Sequence, residues 1–559
     1  MATKRNWINV TTLGDLIDQR AAEHPEAEAI VFPDARYTYS DLADRAQTIA
    51  KGLLGLGVGP GDRVGYFLHE CIDTLATLLA VAKIGAITAP INARFKSFEL
   101  TQVIVHCGMK VVITARPEGG SDFVGLLNET FPEIAKAEID NFDLAAAPEL
   151  KHVVVLGDQG APGMRNETEF LAAGDPTTDA DVLIRQQGVS VRDTAVIMYT
   201  SGTTAAPKGA MLSHESFLRF ADATCNPVNG RMPMVGNDRI WTALPLFHIG
   251  GVSFSLAAIY AGATFVHVGF YNPGVALAQL RDEACTIALP GFETIWLPII
   301  NHPDRADTDL ASLRVVLCTG VPERLEQIQS ATPDAVVVNC FGQTEACAFL
   351  SLNELDDAFD VRMNTGGMPM PGMECEVHDP DTDELLPAGS EGELWYRGPM
   401  QFDGYFRDPE TTADAFDARG FFKSGDIALL GTDGSVTFKS RVKDMLKVGG
   451  ENVAAAEVEG YLITHPAVNI AQVVSAPDAK YVEVPAAYIE LKGGATATEQ
   501  EIIDYCRGKI ATFRVPRYVR FVEEWPMSGT KIKKFELRAQ IADELTQAGI
   551  IEAPRVTSD

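Results

Sequence analysis

The segment Tyr199-Thr200-Ser201-Gly202-Thr203-Thr204-Ala205-Ala206-Pro207-Lys208-Gly209 follows an apolar run, 195–198, that reads as a buried strand. A strand thus delivers a loop carrying four Ser/Thr hydroxyls, two glycines and a lysine. Backbone N–H groups, hydroxyl donors and an ammonium are what a triphosphate needs. The order differs from the Gly-Lys-Ser/Thr of kinase and GTPase phosphate loops, because Lys208 sits between Pro207 and Gly209.

The chain upstream alternates strand-like and helical runs. Helices are predicted at 42–56 and 74–83, and strands at 63–68 and 110–114. This rhythm implies an α/β fold with mainly parallel sheets covered by helices. A polar, turn-rich connection is expected at 173–181. Short strand signals at 393–397 and 435–439, separated by Asp-Gly turns, predict a β-rich unit at about 370–440. Helical signals follow at 454–462 and 499–510. A large domain, 1–440, and a small α+β domain, 441–559, are therefore expected. A chain of 559 residues is too long for one core.

With 46 Lys+Arg against 76 Asp+Glu, the net charge is −30, which disfavours non-specific nucleic-acid binding. From Arg441 onward 15 basic and 17 acidic residues leave −2, so the preceding part carries −28. Residues 507–538 hold nine basic and three acidic side chains, compatible with a solvated face or with a lid that meets a polyanion. The nine cysteines show no CxxC pair and read as free thiols of a reducing compartment. No run of about eighteen apolar residues is present, so a cytoplasmic protein without an integral membrane segment is expected.

Further motifs follow in order. They are Pro245-Leu246-Phe247-His248-Ile249-Gly250-Gly251, Phe341-Gly342-Gln343-Thr344-Glu345, Ser424-Gly425-Asp426, the run 441–453 from Arg441 through Gly449-Gly450, and Met527-Ser528-Gly529-Thr530-Lys531-Ile532-Lys533-Lys534-Phe535. In isolation each has a plainer reading. A lone histidine on an apolar stretch is more often core than catalyst. Thr-Glu is a common helix cap with a solvated carboxylate, and Ser-Gly-Asp is a common turn.

Together with the 199–209 loop, these motifs resemble the adenylate-forming superfamily of acyl-CoA synthetases, aryl-CoA ligases, peptide-synthetase adenylation domains and beetle luciferases. The resemblance spans nearly the whole chain and is of the fatty-acid–CoA ligase type. It departs at Ala205, where members usually carry glycine, and at Thr530, where the usual glycine has moved to Gly529.

The resemblance implies that a carboxylic acid, ATP and Mg²⁺ give an acyl-adenylate, which coenzyme A then converts to a thioester. It assigns ATP contacts to Thr200, Ser201, Gly202, Thr203, Thr204, Lys208, Phe341, Gly342, Gln343 and Thr344. Asp426 and Arg441 fall on the ribose, and Thr204 and Glu345 on the metal. Lys531 becomes the catalytic lysine, and His248 the residue that gates the acyl pocket. Lys443 becomes a hinge, and Gly449-Gly450 a loop near the thioester site. Pocket walls are implied at Ile249, Gly250, Val252, Phe292, Thr319, Gly320, Val321 and Cys347. Amino-acid-activating relatives carry an aspartate just after the His248 position. Ile249 there leaves a substrate ammonium without a counter-charge, which argues for a fatty, steroid-side-chain or aryl acid. The alternative is an acyl-AMP ligase that loads a separate acyl carrier protein. A light-emitting oxygenase and an inactive nucleotide-binding regulator are more distant alternatives. A homodimer is compatible with this reading.

Overall fold

In the computed structural model, the described residues are 12–116, 121–139, 142–157, 159–200, 207–442, 445–448, 451–507, 509–510, 512–528 and 531–555. Two seven-stranded sheets carry the first two-thirds of the chain. One runs in the order Val336–Val338, Val315–Thr319, Ile287–Phe292, Arg239–Thr242, Thr264–His267, Glu28–Val31, Arg36–Thr38. The other runs Arg165–Asn166, His152–Leu156, Met109–Ala115, Arg63–Phe67, Ile87–Pro90, Thr194–Thr200, Lys208–Ser213. Each is parallel except at one edge pair, Arg36–Thr38 with Glu28–Val31 and Lys208–Ser213 with Thr194–Thr200. Covered on both faces by helices, the central strands need apolar side chains throughout, as in Val315–Thr319 (VVLCT).

The helices start where short polar side chains can hold free N–H groups. Thr38 caps Tyr39–Gly55 and Thr178 caps Asp179–Gln187, each in a reciprocal capping box. The latter helix begins inside the expected polar connection, so only 174–178 joins two helices there. Its large apolar residues Val182, Leu183 and Ile184 are consecutive, so they give no helical periodicity in the sequence. The helix expected at 499–510 ends at Cys506.

Residues 374–441 form a four-stranded antiparallel sheet in the order Glu374–His378, Glu391–Arg397, Phe422–Leu430, Val436–Arg441. A separate five-stranded sheet, built from Met445–Val448, Glu451–Ala454, Val468–Asp478, Val482–Leu491 and Tyr518–Phe521, has its own apolar clusters, drawn only from residues 446 onward. All nine cysteines are free thiols, seven of them buried. Among the described residues, no helix is long and apolar enough to cross a membrane.

Two histidines are locked in the neutral form inside this core. His267 Nδ1 accepts the Gly269 N–H at 3.0 Å, and Nε2 donates to the Leu244 carbonyl at 3.1 Å. His214 Nδ1 accepts the Leu13 N–H at 3.2 Å. Burial lowers both to about 4. The unfolded chain binds these protons at ordinary histidine pKa values, so stability falls as pH drops from about 6.5 to about 4. His267→Gln cannot take up a proton. Its urea-unfolding free energy is expected to vary less across that window than the parent's, by up to about 3 kcal/mol.

Candidate active site

Strand Thr194–Thr200 ends where the phosphate-loop motif begins, and Lys208–Ser213 returns antiparallel to it, with Thr200 opposite Lys208. Ser201, Gly202, Thr203, Thr204 and Ala205 lie outside the described residues. The returning strand is stitched to 403–406. Asp403 N donates to Met211 O at 2.9 Å, Met211 N to Gly404 O at 3.0 Å, and Phe406 N to Gly209 O at 2.8 Å. This stitching delivers Tyr405 beside the loop. The Lys208 ammonium lies 5.2 Å from the Tyr405 ring centre, within cation–π range. The Tyr405 hydroxyl donates to Glu345 Oε1 at 3.0 Å. Burial and the adjacent Glu345 raise the Tyr405 pKa, which keeps that hydroxyl a donor. A cavity of about 770 Å³ opens here, lined by Lys208, Gly209, Tyr199, His106 and Tyr405 among others.

Glu345 is buried rather than solvated. It is held by a tight loop, 341–350, in which Ala348 N returns to Gln343 O and Leu350 N to Phe341 O. A Cβ at Gly342 would stand 1.8 Å from the Ala348 carbonyl oxygen, so only glycine fits. Cys347 and Ala348 take positive φ values of 57° and 102° without being glycine, a strained conformation of the kind that collects at functional sites. Gly342, Gln343 and Thr344 stay partly exposed.

Asp426 and Arg441 are cross-strand partners in the antiparallel sheet, joined Nε to Oδ1 at 3.0 Å. Gln343 Nε2 donates to Asp426 Oδ2 at 3.5 Å, tying the Phe341–Glu345 motif to this pair. The rings of Phe341 and Phe438 stack 5.6 Å apart at 15°. Four distant motifs therefore meet around one polar centre. The buried Tyr396 hydroxyl, in the field of Glu345, Tyr405 and Asp426, has no hydrogen-bond partner among the described residues. Tyr396 and Tyr405 were not singled out in the sequence. Both stand among aromatics with the ordinary spacing of core residues, and no local pattern separates them.

The expected pocket walls also converge. His248 is the N-cap of the buried helix Ile249–Ala261. Ser253 Oγ on that helix donates to the Cys347 carbonyl at 3.2 Å. Phe292 pairs with Thr319 across two strand ends, and Thr319 Oγ1 lies 3.2 Å from Cys340 Sγ. Val252 and Cys347 are buried, while Ile249, Gly250, Gly320 and Val321 are half-exposed.

Lys443, Gly449 and Gly450 lie outside the described residues, as does the Lys531 side chain. The Lys531 backbone forms the strand Lys531–Ile532, opposite Met527–Ser528. Of its neighbours, Lys534 pairs with Glu459 in a largely covered contact, while Lys533 stays part-exposed and pairs with Glu536 at 2.8 Å. In the basic stretch, Arg517 is buried and Arg520 bonds Glu544, so much of that charge is satisfied internally.

The AMP-binding enzyme family model matches residues 17–406, and the AMP-binding enzyme C-terminal domain model matches 457–531. Medium-chain acyl-CoA ligase ACSF2, mitochondrial, of Mus musculus is 31% identical, with 97% of this chain and 89% of that protein aligned. The 3-[(3aS,4S,7aS)-7a-methyl-1,5-dioxo-octahydro-1H-inden-4-yl]propanoyl:CoA ligase of Rhodococcus jostii (strain RHA1) is 33% identical over 95% of this chain and 99% of its own. The solved anthranilate CoA ligase AuaEII in complex with anthranoyl-AMP superposes with a TM-score of 0.84 at 25% identity, covering 96% and 98% of the two chains. The chain belongs to the AMP-binding, adenylate-forming enzyme family.

Gly342→Ala is expected to lower acid-dependent ATP–pyrophosphate exchange by about a hundredfold or more, because the added methyl clashes with the Ala348 carbonyl and displaces the 341–350 loop that carries Glu345. Far-UV circular dichroism should be unchanged.

Proposed function

We propose that this AMP-forming acid–CoA ligase activates a hydrophobic carboxylic acid, with a fatty, steroid-side-chain or aryl body. The observation that carries the reading is the convergence of Lys208, Tyr405, Glu345, Gln343, Asp426 and Arg441 on one polar centre. Both relatives named above are CoA ligases of such acids, which supports the substrate class. Ile249 supplies no charge for an amino-acid ammonium.

The first half-reaction brings a carboxylate against the α-phosphate of ATP, so charge repulsion is the barrier to remove. Lys208 and the loop before it hold the departing phosphates. Thr344 reaches the α-phosphate, and Asp426, braced by Arg441, accepts hydrogen bonds from the ribose hydroxyls. Among the described residues, no cluster of three or more His, Cys, Asp or Glu could hold an ion alone. A single buried carboxylate, Glu345, beside the unpartnered Tyr396 hydroxyl fits a Mg²⁺ that arrives on the nucleotide phosphates. When bound there, with Thr204 as a further oxygen, Mg²⁺ neutralises phosphate charge. Lys531 adds a second cation at the reacting carboxylate. His248 admits the acid to the pocket.

The second half-reaction forms the thioester and releases AMP. The residues after Lys443 act as a lid that turns about it between the halves, bringing Gly449-Gly450 to the thioester site. Separate apolar clusters on either side of this point support a unit able to move as a body.

The test is pyrophosphate release over a panel of carboxylic acids, with coenzyme A and a pantetheinylated carrier as alternative acceptors. Turnover is expected with medium-chain or ring-bearing acids and coenzyme A. Turnover with amino acids alone, or with the carrier alone, would overturn the reading. Lys531→Ala should abolish adenylate formation yet still make thioester from supplied acyl-adenylate, and equal loss of both halves would remove its assigned role.

A further inference from the structure

The turn that presents His248 is held from the opposite sheet. Leu246, two residues before His248, has both backbone polar groups bound by side chains of the segment 66–70. The Tyr66 hydroxyl donates to the Leu246 carbonyl at 2.5 Å, and the Leu246 N–H donates to Glu70 Oε2 at 3.1 Å. Tyr66 belongs to strand Arg63–Phe67 of one seven-stranded sheet, whereas the 243–248 turn leaves strand Arg239–Thr242 of the other. The clamp therefore bridges the two sheets at the residue pair preceding the gate.

The rest of the turn is fixed from its own side. Leu244 N donates to Thr242 Oγ1 at 3.0 Å, and the Leu244 carbonyl accepts from His267. His248 N then closes on Pro245 O at 3.0 Å, and Val252 N on His248 O at 3.1 Å, which starts the helix. With Leu244 and Leu246 both anchored, the direction of His248 and Ile249 is set before any substrate arrives. Leu246 is fully buried, so without these partners its backbone polar groups would go unsatisfied.

We propose that Tyr66 and Glu70 are positioning residues for acid binding, acting through Leu246 on His248 and the mouth of the acyl pocket. The proposal rests on the reading of His248 as the gate residue. Tyr66 is buried, and its pKa is held well above the ordinary tyrosine value, so it stays a donor. Glu70 interacts with Tyr66, on the strand that leads into it, and with Arg94 from the segment after Ile87–Pro90. Burial pushes the Glu70 carboxyl up to about 8, against the opposing pull of the Leu246 N–H and Arg94. The clamp thus changes charge near neutral pH, and its hold on Leu246 is strongest when Glu70 is ionised.

The experiment compares Tyr66→Phe, Glu70→Ala and Glu70→Gln with the parent enzyme in the full reaction, using one accepted acid, ATP and coenzyme A. Glu70→Ala and Tyr66→Phe are expected to raise KM for the acid about tenfold, while KM for ATP stays within about twofold. Glu70→Gln keeps an acceptor oxygen and should recover most of the loss. In the parent, kcat/KM for the acid should carry an inflection near pH 8 that Glu70→Gln removes. Thermal unfolding of each variant is recorded alongside, and Glu70→Gln and Tyr66→Phe keep the test open if Glu70→Ala does not fold. An unchanged KM for the acid, or equal rises for acid and ATP, overturns the proposal. His248→Ala serves as the reference. If it leaves KM for the acid unchanged, the gate reading fails, whereas a rise there with no effect at Tyr66 and Glu70 refutes the clamp alone.

Discussion

A buried carboxylate, bound by a tyrosine whose ring packs against a lysine, organises this site. Glu345 receives the Tyr405 hydroxyl, and the ring of the same tyrosine lies under the Lys208 ammonium. Removing a carboxylate from water costs several kcal/mol unless hydrogen bonds or charge offset it. The fold meets that cost by bringing three distant segments to one place: the strand Lys208–Ser213, the loop 341–350 and the segment 402–406. Each is secured by backbone hydrogen bonds, so the charges are set before a nucleotide binds. Such preorganisation is what a reaction between two anions requires.

The strain in the loop belongs to the same economy. Cys347 and Ala348 occupy conformations that side chains disfavour, and Gly342 occupies space no other residue could. Their arrangement keeps Glu345 buried while Gln343 and Thr344 remain open to a ligand. It also places the Cys347 carbonyl where Ser253 can bind it, which ties the loop to the buried helix that begins after His248. The Tyr66–Glu70 contact does similar work from the other sheet.

Much of the architecture was legible from residue patterns. Strands at 63–68 and 195–198 appear as Arg63–Phe67 and Thr194–Thr200, because a strand covered on both faces needs an unbroken apolar run. The helix read at 42–56 appears as Tyr39–Gly55, its true start marked by the Thr38 cap. Lys208, Glu345, Asp426 and Arg441 were legible because each sits in a motif whose glycine and hydroxyl neighbours are unusual together. Tyr405, Tyr396, Tyr66 and Glu70 were not, since each looks like ordinary core or surface until another segment is folded against it.

The division has a physical basis. Local rules act over a few residues, so the sequence alone determined the alternation of strand and helix, the caps, the glycine-demanding turns and the chemical type of each motif. Contacts such as Tyr405 with Glu345, 60 positions apart, or Tyr66 with Leu246, 180 apart, depend on how the sheets pack and in what register. Only the tertiary structure decided those, because a hydrogen bond across that separation exists once many apolar contacts have brought its ends together, and no single residue type announces it.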